Sequence, residues 1–301
     1  VIAPASVPAG VLSLVGDAAR RQRDAERRCL DLLLAQGFGL VHLPVLEYAP
    51  EEARTGYRFV DPSGRVVAVR SDFTPVASRV LGRGLAGAAL PLEVCYAGEV
   101  VRPQPVRLRA LPELYQVGFE SYGVEGGGVR ALEVTLDLLR AAAVPARSCH
   151  LTVDVAALAA RMLATALNRE PDDEALELAR VRDLAALADL AGGPGDGLAA
   201  LEAALLGEPP PSWAPYFGAE GEVDRMAPML EVAARRGISA GIDVAPRLTG
   251  GYYEGIVFTV WGRGTRAVLA AGGEYRVDLE SGSIPAAGGC LSLGIALEEG
   301  R

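Results

Sequence analysis

Residues 95–123 read CYAGEVVRPQPVRLRALPELYQVGFESYG, and the reading of this stretch decides the fold. An apolar run from Cys95 closes at Arg102, a loop rich in proline and arginine follows, and a second run carries Gln116 and Glu120. The pattern predicts strand, loop and strand. Gln116 and Glu120 stand four residues apart, so in a strand both side chains leave the same face. A guanidinium at Arg102 is suited to grip a carboxylate or phosphate through two parallel hydrogen bonds. Together these three side chains outline a polar pocket at one end of a sheet.

Working upstream, the spacing predicts a helix over Val11 to Gln36, with apolar positions at Val15, Ala18, Ala19, Cys29, Leu32 and Leu33 and with Gly37 as its C-terminal cap. A short strand follows from Leu40 to Leu46, with Pro44 fitting a sheet edge or an interface. Tyr57 to Arg70 reads as a hairpin about the Asp61-Pro-Ser-Gly64 turn. Directly after it stands Arg70-Ser-Asp-Phe-Thr-Pro75. Asp72 or Thr74 can cap the helix expected near Pro75, and the same side chains can face the pocket; the two readings are compatible.

Downstream, about Asp154 to Arg236 is rich in alanine and leucine with helical periodicity, and we read it as a helical insertion. From Ile238 the chain returns to strands, in GGYYEGIVFTVWG and AAGGEYRVD, and ends on the glycine-rich PAAGGCLSLGIALEEG. Paired tyrosines in a strand are ordinary packing residues as readily as ligand contacts.

The order and spacing of these elements resemble the class II aminoacyl-tRNA synthetases, and histidyl-tRNA synthetase in particular. Gly98, Arg102, Gln116, Gly118, Glu120 and Gly123 match motif 2 without a gap, and LVHLPVLEY resembles motif 1. The segment around Asp72 and Thr74 is similar to LRPE-x-T, GGYYEGIVFTVWG to RGLDYY-x-x-x-VFE, GGEYRVD to GGRYD, and the final block to motif 3. The resemblance implies an α+β fold with an antiparallel sheet flanked by helices. It implies one synthetase-like domain over residues 1–301, interrupted by a helical insertion at about 154–236 and carrying no anticodon-binding domain. It also implies a histidine-like ligand pocket. Asp72 and Thr74 would hold an ammonium there, with Arg102, Gln116 and Glu120 around the ligand and Tyr253 and Tyr275 where the imidazole is read.

Departures from the family pattern bear on function. Leu248 stands where the family has the arginine opening RGLDYY, and Arg247 lies one residue earlier, on the opposite face of a strand. Gln104 replaces the motif 2 glutamate, and Gly288 to Gly300 contains no arginine. Adenylation must neutralise the phosphates of ATP, so these losses argue against it. The pattern is that of the synthetase-like regulatory subunits of ATP phosphoribosyltransferase. Membership implies a non-catalytic, cytoplasmic protein of histidine biosynthesis. Its expected partners are a short-form catalytic subunit in a hetero-octamer, a second copy through motif 1, and histidine as feedback ligand. A stand-alone enzyme that activates an amino acid with ATP is the alternative.

Composition limits the other classes. All 29 basic residues are arginine, which excludes a P-loop lysine and a Schiff-base lysine. A formal net charge of −9 argues against broad capture of tRNA, although Arg102, Arg107 and Arg109 form a local patch. Four scattered cysteines and two histidines show no metal-ligand spacing and fit reduced, buried thiols, so no metal or cofactor is expected. No apolar run is long enough to predict a membrane span.

Overall fold

The computed structural model describes residues 11, 13–49, 56–85, 89–102, 113–208, 216, 222–245, 252–279 and 282–300, the side chains of 83, 85, 222 and 223 excepted. Arg107, Arg109, Gln104, Arg247 and Leu248 lie outside them. Helix α1 (Asp17–Ala35) starts six residues later than its periodicity suggests, and Val15, counted by that periodicity as core, is exposed. Its buried face is Ala25, Glu26, Cys29 and Leu33, and Gly37, at φ 95°, takes the left-handed turn that ends it. The strand expected over Leu40 to Leu46 is two short pieces, β1 (Gly39–Leu40) and β2 (Leu46–Tyr48), with Pro44 in the break.

The hairpin is β3 (Arg58–Val60) and β4 (Val66–Val69); with β2 it forms a small antiparallel sheet in the order β2-β4-β3. Its turn is held by the Asp61 carboxylate, which accepts from the amides of Ser63 and Arg65. Helix α2 (Phe73–Leu85) leads to the two long strands that residues 95–123 foretell, β5 (Leu92–Val101) and β6 (Glu113–Tyr122). Then come α3 (Gly128–Ala141), β7 (Cys149–Val155) and five helices, α4 (Leu158–Leu167), α5 (Asp173–Val181), α6 (Leu184–Leu190), α7 (Asp196–Leu205) and α8 (Glu222–Arg235). The chain closes with β8 (Ser239–Ile242), β9 (Tyr253–Gly262), β10 (Val268–Leu279), β11 (Gly282–Ser292) and α9 (Leu293–Glu299).

Eight strands make the main sheet, in the order β1-β5-β6-β11-β10-β9-β7-β8. The expectation of an antiparallel sheet holds for its six central strands. At the two edges, β1 runs parallel to β5 and β8 parallel to β7, so the sheet is mixed. Each parallel edge strand is reached through a long connection rather than a hairpin, as parallel pairing demands.

Alternation along β5 and β6 sorts the residues by face. Cys95, Val117 and Phe119 join the large core packed by the helices. Val94, Tyr96, Val100 and Tyr122 face the other way and bury against α2 or against Tyr275 and Val277 of β10. Glu120 shares this second face. The helices after β7 are tied to the sheet by Glu274 of β10, which accepts from Arg225 on α8 at 2.6 and 2.7 Å and from the amides of Gly128 and Ile256.

Candidate functional site

The site is built where the N-terminus of α2 meets β5, β6, β9, β10 and β11. Its floor is a row of glycines. Gly98 on β5, at φ 152°, lies under the guanidinium of Arg70, and Gly118 on β6 lies under the ring of Tyr96. Any side chain at either position would displace what rests on it. Arg70 is itself buried, donating to the carbonyls of Leu43, Pro44 and Glu99 and lying 4.1 Å over the Phe73 ring. That network fixes the chain just before Asp72 and so sets where α2 begins.

Glu120 is the centre. It is fully buried, and three hydroxyls donate to it: Thr74 Oγ1 to Oε1 at 2.6 Å, the Tyr96 hydroxyl to Oε1 at 2.9 Å, and the Tyr275 hydroxyl to Oε2 at 2.8 Å. Burial pushes the Glu120 carboxyl up to about 7; the bonds from Thr74, Tyr275 and Tyr96 pull it down, and Asp72 nearby adds to the rise. Three charge-assisted hydrogen bonds stabilise the anion by about 1.5–3 kcal/mol each. Taking a carboxylate out of water costs several kcal/mol as well. The upward shift says that burial wins. Burial first, and then Glu120, holds the Tyr96 and Tyr275 phenols well above their ordinary range, so both stay protonated donors.

Asp72 caps α2 by accepting from the Thr74 amide at 3.1 Å. Its other oxygen lies 3.5 Å from the Arg102 guanidinium and 3.4 Å from the Tyr252 hydroxyl. Arg102 donates from Nε to the Ser71 carbonyl at 2.7 Å and is therefore anchored at the Asp72 end of the site. The Tyr253 ring lies against that of Tyr252, tilted by 41° at 4.6 Å between centroids, and Tyr253 pairs in register with Tyr275. Gln116 lies buried on the Glu120 row, opposite Gly98 and Ser292, and its carboxamide has no hydrogen-bond partner among the described residues.

Of the seven residues expected here, Thr74, Glu120 and Tyr275 make one hydrogen-bonded group and Asp72 and Arg102 an adjoining ion pair, with Gln116 and Tyr253 on the flanks. Three further residues line the pocket beyond the seven. Tyr96 donates to Glu120, and strand alternation alone puts it on the face of Gly98 and Arg102. Tyr252 reaches Asp72. Cys290 lies opposite Gly118, its thiol pushed up to about 12 by burial and by Asp72. Such an arrangement presents two carboxylates, four phenols and a carboxamide, chemistry that receives a small polar cation. The described residues contain no cluster of metal-ligating side chains.

The family model for histidyl-tRNA synthetase matches residues 10–295. An ATP phosphoribosyltransferase regulatory subunit from Azoarcus sp. (strain BH72) is 31% identical, over 83% of this chain and 69% of that relative. Among solved structures, an ATP phosphoribosyltransferase regulatory subunit/histidyl-tRNA synthetase from Bacillus halodurans superimposes with a TM-score of 0.81 at 16% identity, covering 99% of this chain and 84% of that one. The ATP phosphoribosyl transferase (HisG:HisZ) complex from Thermotoga maritima contains a chain that matches with a TM-score of 0.65 at 21% identity, covering 90% of this chain and 97% of that chain. Both likenesses are of fold. A class II-like sheet, a match of the family model over nearly the whole chain, and a relative close to one third identical place the chain in the histidyl-tRNA synthetase family, among the ATP phosphoribosyltransferase regulatory subunits.

Proposed function

We propose that this chain is the non-catalytic regulatory subunit of an ATP phosphoribosyltransferase, acting at the first step of histidine biosynthesis in the cytoplasm. It supports the activity of a short-form catalytic subunit within a hetero-octamer and contributes to feedback inhibition by histidine. The observation that carries this reading is the Glu120 cradle, complete with its three hydroxyl donors, together with an α9 that carries no arginine. The polar side chains suited to an amino acid are in place, while α9 offers no arginine to a triphosphate. In this pocket, Asp72 and Thr74 receive the ligand's ammonium, Gln116 and Glu120 its polar atoms, and Tyr253 and Tyr275 flank the ring. Arg102, released from Asp72, is the partner for its carboxylate.

A second copy is expected to cover the small sheet. Leu46, Tyr48, Phe59 and Val60 on β2 and β3 are exposed, as is Val80 on α2, and the Pro44 segment leads into this sheet. No helix among the described residues is long and apolar enough to cross a membrane.

Co-expression with a short-form catalytic subunit tests the reading. The complex should turn over ATP and phosphoribosyl pyrophosphate faster than the catalytic chain alone, and histidine should inhibit it. Pyrophosphate exchange with histidine and ATP should be absent from the isolated chain; exchange at a synthetase rate would establish the alternative, an enzyme that activates an amino acid.

A further inference from the structure

At the opposite end of β6 from Glu120, a cleft of about 250 Å³ opens between the start of α1, the outer ends of β5 and β6, and α9. Three carboxylates line it, Glu99, Glu113 and Glu298, against one guanidinium, Arg21. None of the three forms an ion pair with a described residue. Its inner wall carries Ser292, which is only 6% exposed. Serine at the start of a helix ordinarily accepts from the first-turn amides. Ser292 precedes α9, and its hydroxyl makes no such bond, nor any other side-chain hydrogen bond among the described residues. Its hydroxyl therefore opens onto the cleft and is available to whatever enters it. Leu14 and Ile295 supply apolar surface beside these polar groups.

We infer that this cleft is a second small-molecule site, built for an organic cation with a short apolar body, such as an alkyl amine or alkyl guanidine. The carboxylates receive the charge, Ser292 Oγ takes one polar hydrogen of the ligand, and Leu14 and Ile295 cover its chain. Because α9 continues β11, whose Cys290 and Gly288 lie on the floor of the Glu120 site, a ligand held here contacts the element that both sites share. The inference does not rest on histidine binding elsewhere.

The test is isothermal titration of the full chain with agmatine, an amine and a guanidinium joined by four methylenes. One-to-one saturable binding is expected, weakening as salt rises and unchanged by saturating histidine. The E113Q/E298Q pair should weaken it by roughly tenfold or more, the scale of losing charge-assisted contacts. Leu14→Trp, a replacement at a partly exposed position, should block the mouth without touching the carboxylates. Asp72→Asn should leave agmatine binding as it is while removing any histidine binding. Absence of saturable binding to the wild-type chain overturns the inference. So does displacement by histidine, or indifference to both the charge-removing and the mouth-filling variants.

Discussion

Gly288 of β11 faces Glu120 of β6 across the sheet so closely that a methyl at position 288 would overlap the Glu120 carboxylate. The backbone carbonyl of Phe119 would also lie too close, at 2.6 Å, and it has no flexible end that can yield. Gly288→Ala is therefore expected to expel the carboxylate from its three hydroxyl donors and to destabilise the fold by about 1–3 kcal/mol, the range for overpacking a filled interior. Urea unfolding checks it. Gly294→Ala, at a glycine on α9 where an added methyl meets only the tip of Gln22, is the control and should stay near wild type.

The position of Glu120 predicts a pH dependence with a definite sign. Its carboxyl is raised to about 7 in the folded chain from an ordinary 4.5, chiefly by burial. Between these values the folded state holds a proton that the unfolded state has released, so its stabilising contribution is full below about pH 4.5 and is lost as pH climbs through about 7. Glu120→Gln should flatten that part of the stability profile, measured by urea midpoints across the interval. An unchanged slope in the variant would assign the dependence to other groups.

The three donors to Glu120 should be separable by single substitutions. Tyr275→Phe and Tyr96→Phe each remove one hydroxyl with little change of shape, and each should cost about 1.5–3 kcal/mol, the range for hydrogen bonds to a charged group. Loss of a bond that stabilises the anion also pushes the Glu120 carboxyl further up. The fall in stability should accordingly move to higher pH in both variants, read from the same urea series. A drop in stability with no such displacement would mean that the hydroxyl packs there without donating.

Much of this site is legible from residue spacing. The four-residue interval between Gln116 and Glu120 places both on one face, because the period of a strand is two, and Asp72 and Thr74 sit where a helix start and a pocket coincide. What escapes is whatever depends on the third dimension. Tyr252 lies 180 residues from the Asp72 that it approaches, and no local rule joins them. The parallel edge strands escape for the same reason, since β1 and β8 are short and their direction is set by distant partners. Helix α1 begins late because periodicity counts Val15 as core, whereas burial depends on the tertiary neighbourhood, and Val15 is exposed.

The tie between Arg225 and Glu274 gives the last expectation. Glu274 is buried, fixed by the amides of Gly128 and Ile256, while the Arg225 side chain is 44% exposed. Arg225→Leu leaves a buried carboxylate with two amide donors and no counter-charge. A fully buried pair broken in this way would lose several kcal/mol. Solvent reaches Arg225, so the loss should be nearer about 1–2 kcal/mol. The reference is Arg140→Leu, which removes an arginine 72% exposed in its pair with Asp137 and should stay within about 0.5 kcal/mol of wild type. Hydrogen exchange should locate the Arg225 effect in α8 and at the start of α3, the two elements that Glu274 joins to the sheet. Combining Arg225→Leu with Glu274→Gln should restore part of the loss, because the carboxamide oxygen still accepts from an amide and no charge is stranded. If Arg225→Leu is as mild as Arg140→Leu and α8 exchanges at its wild-type rate, apolar packing alone holds these helices against the sheet.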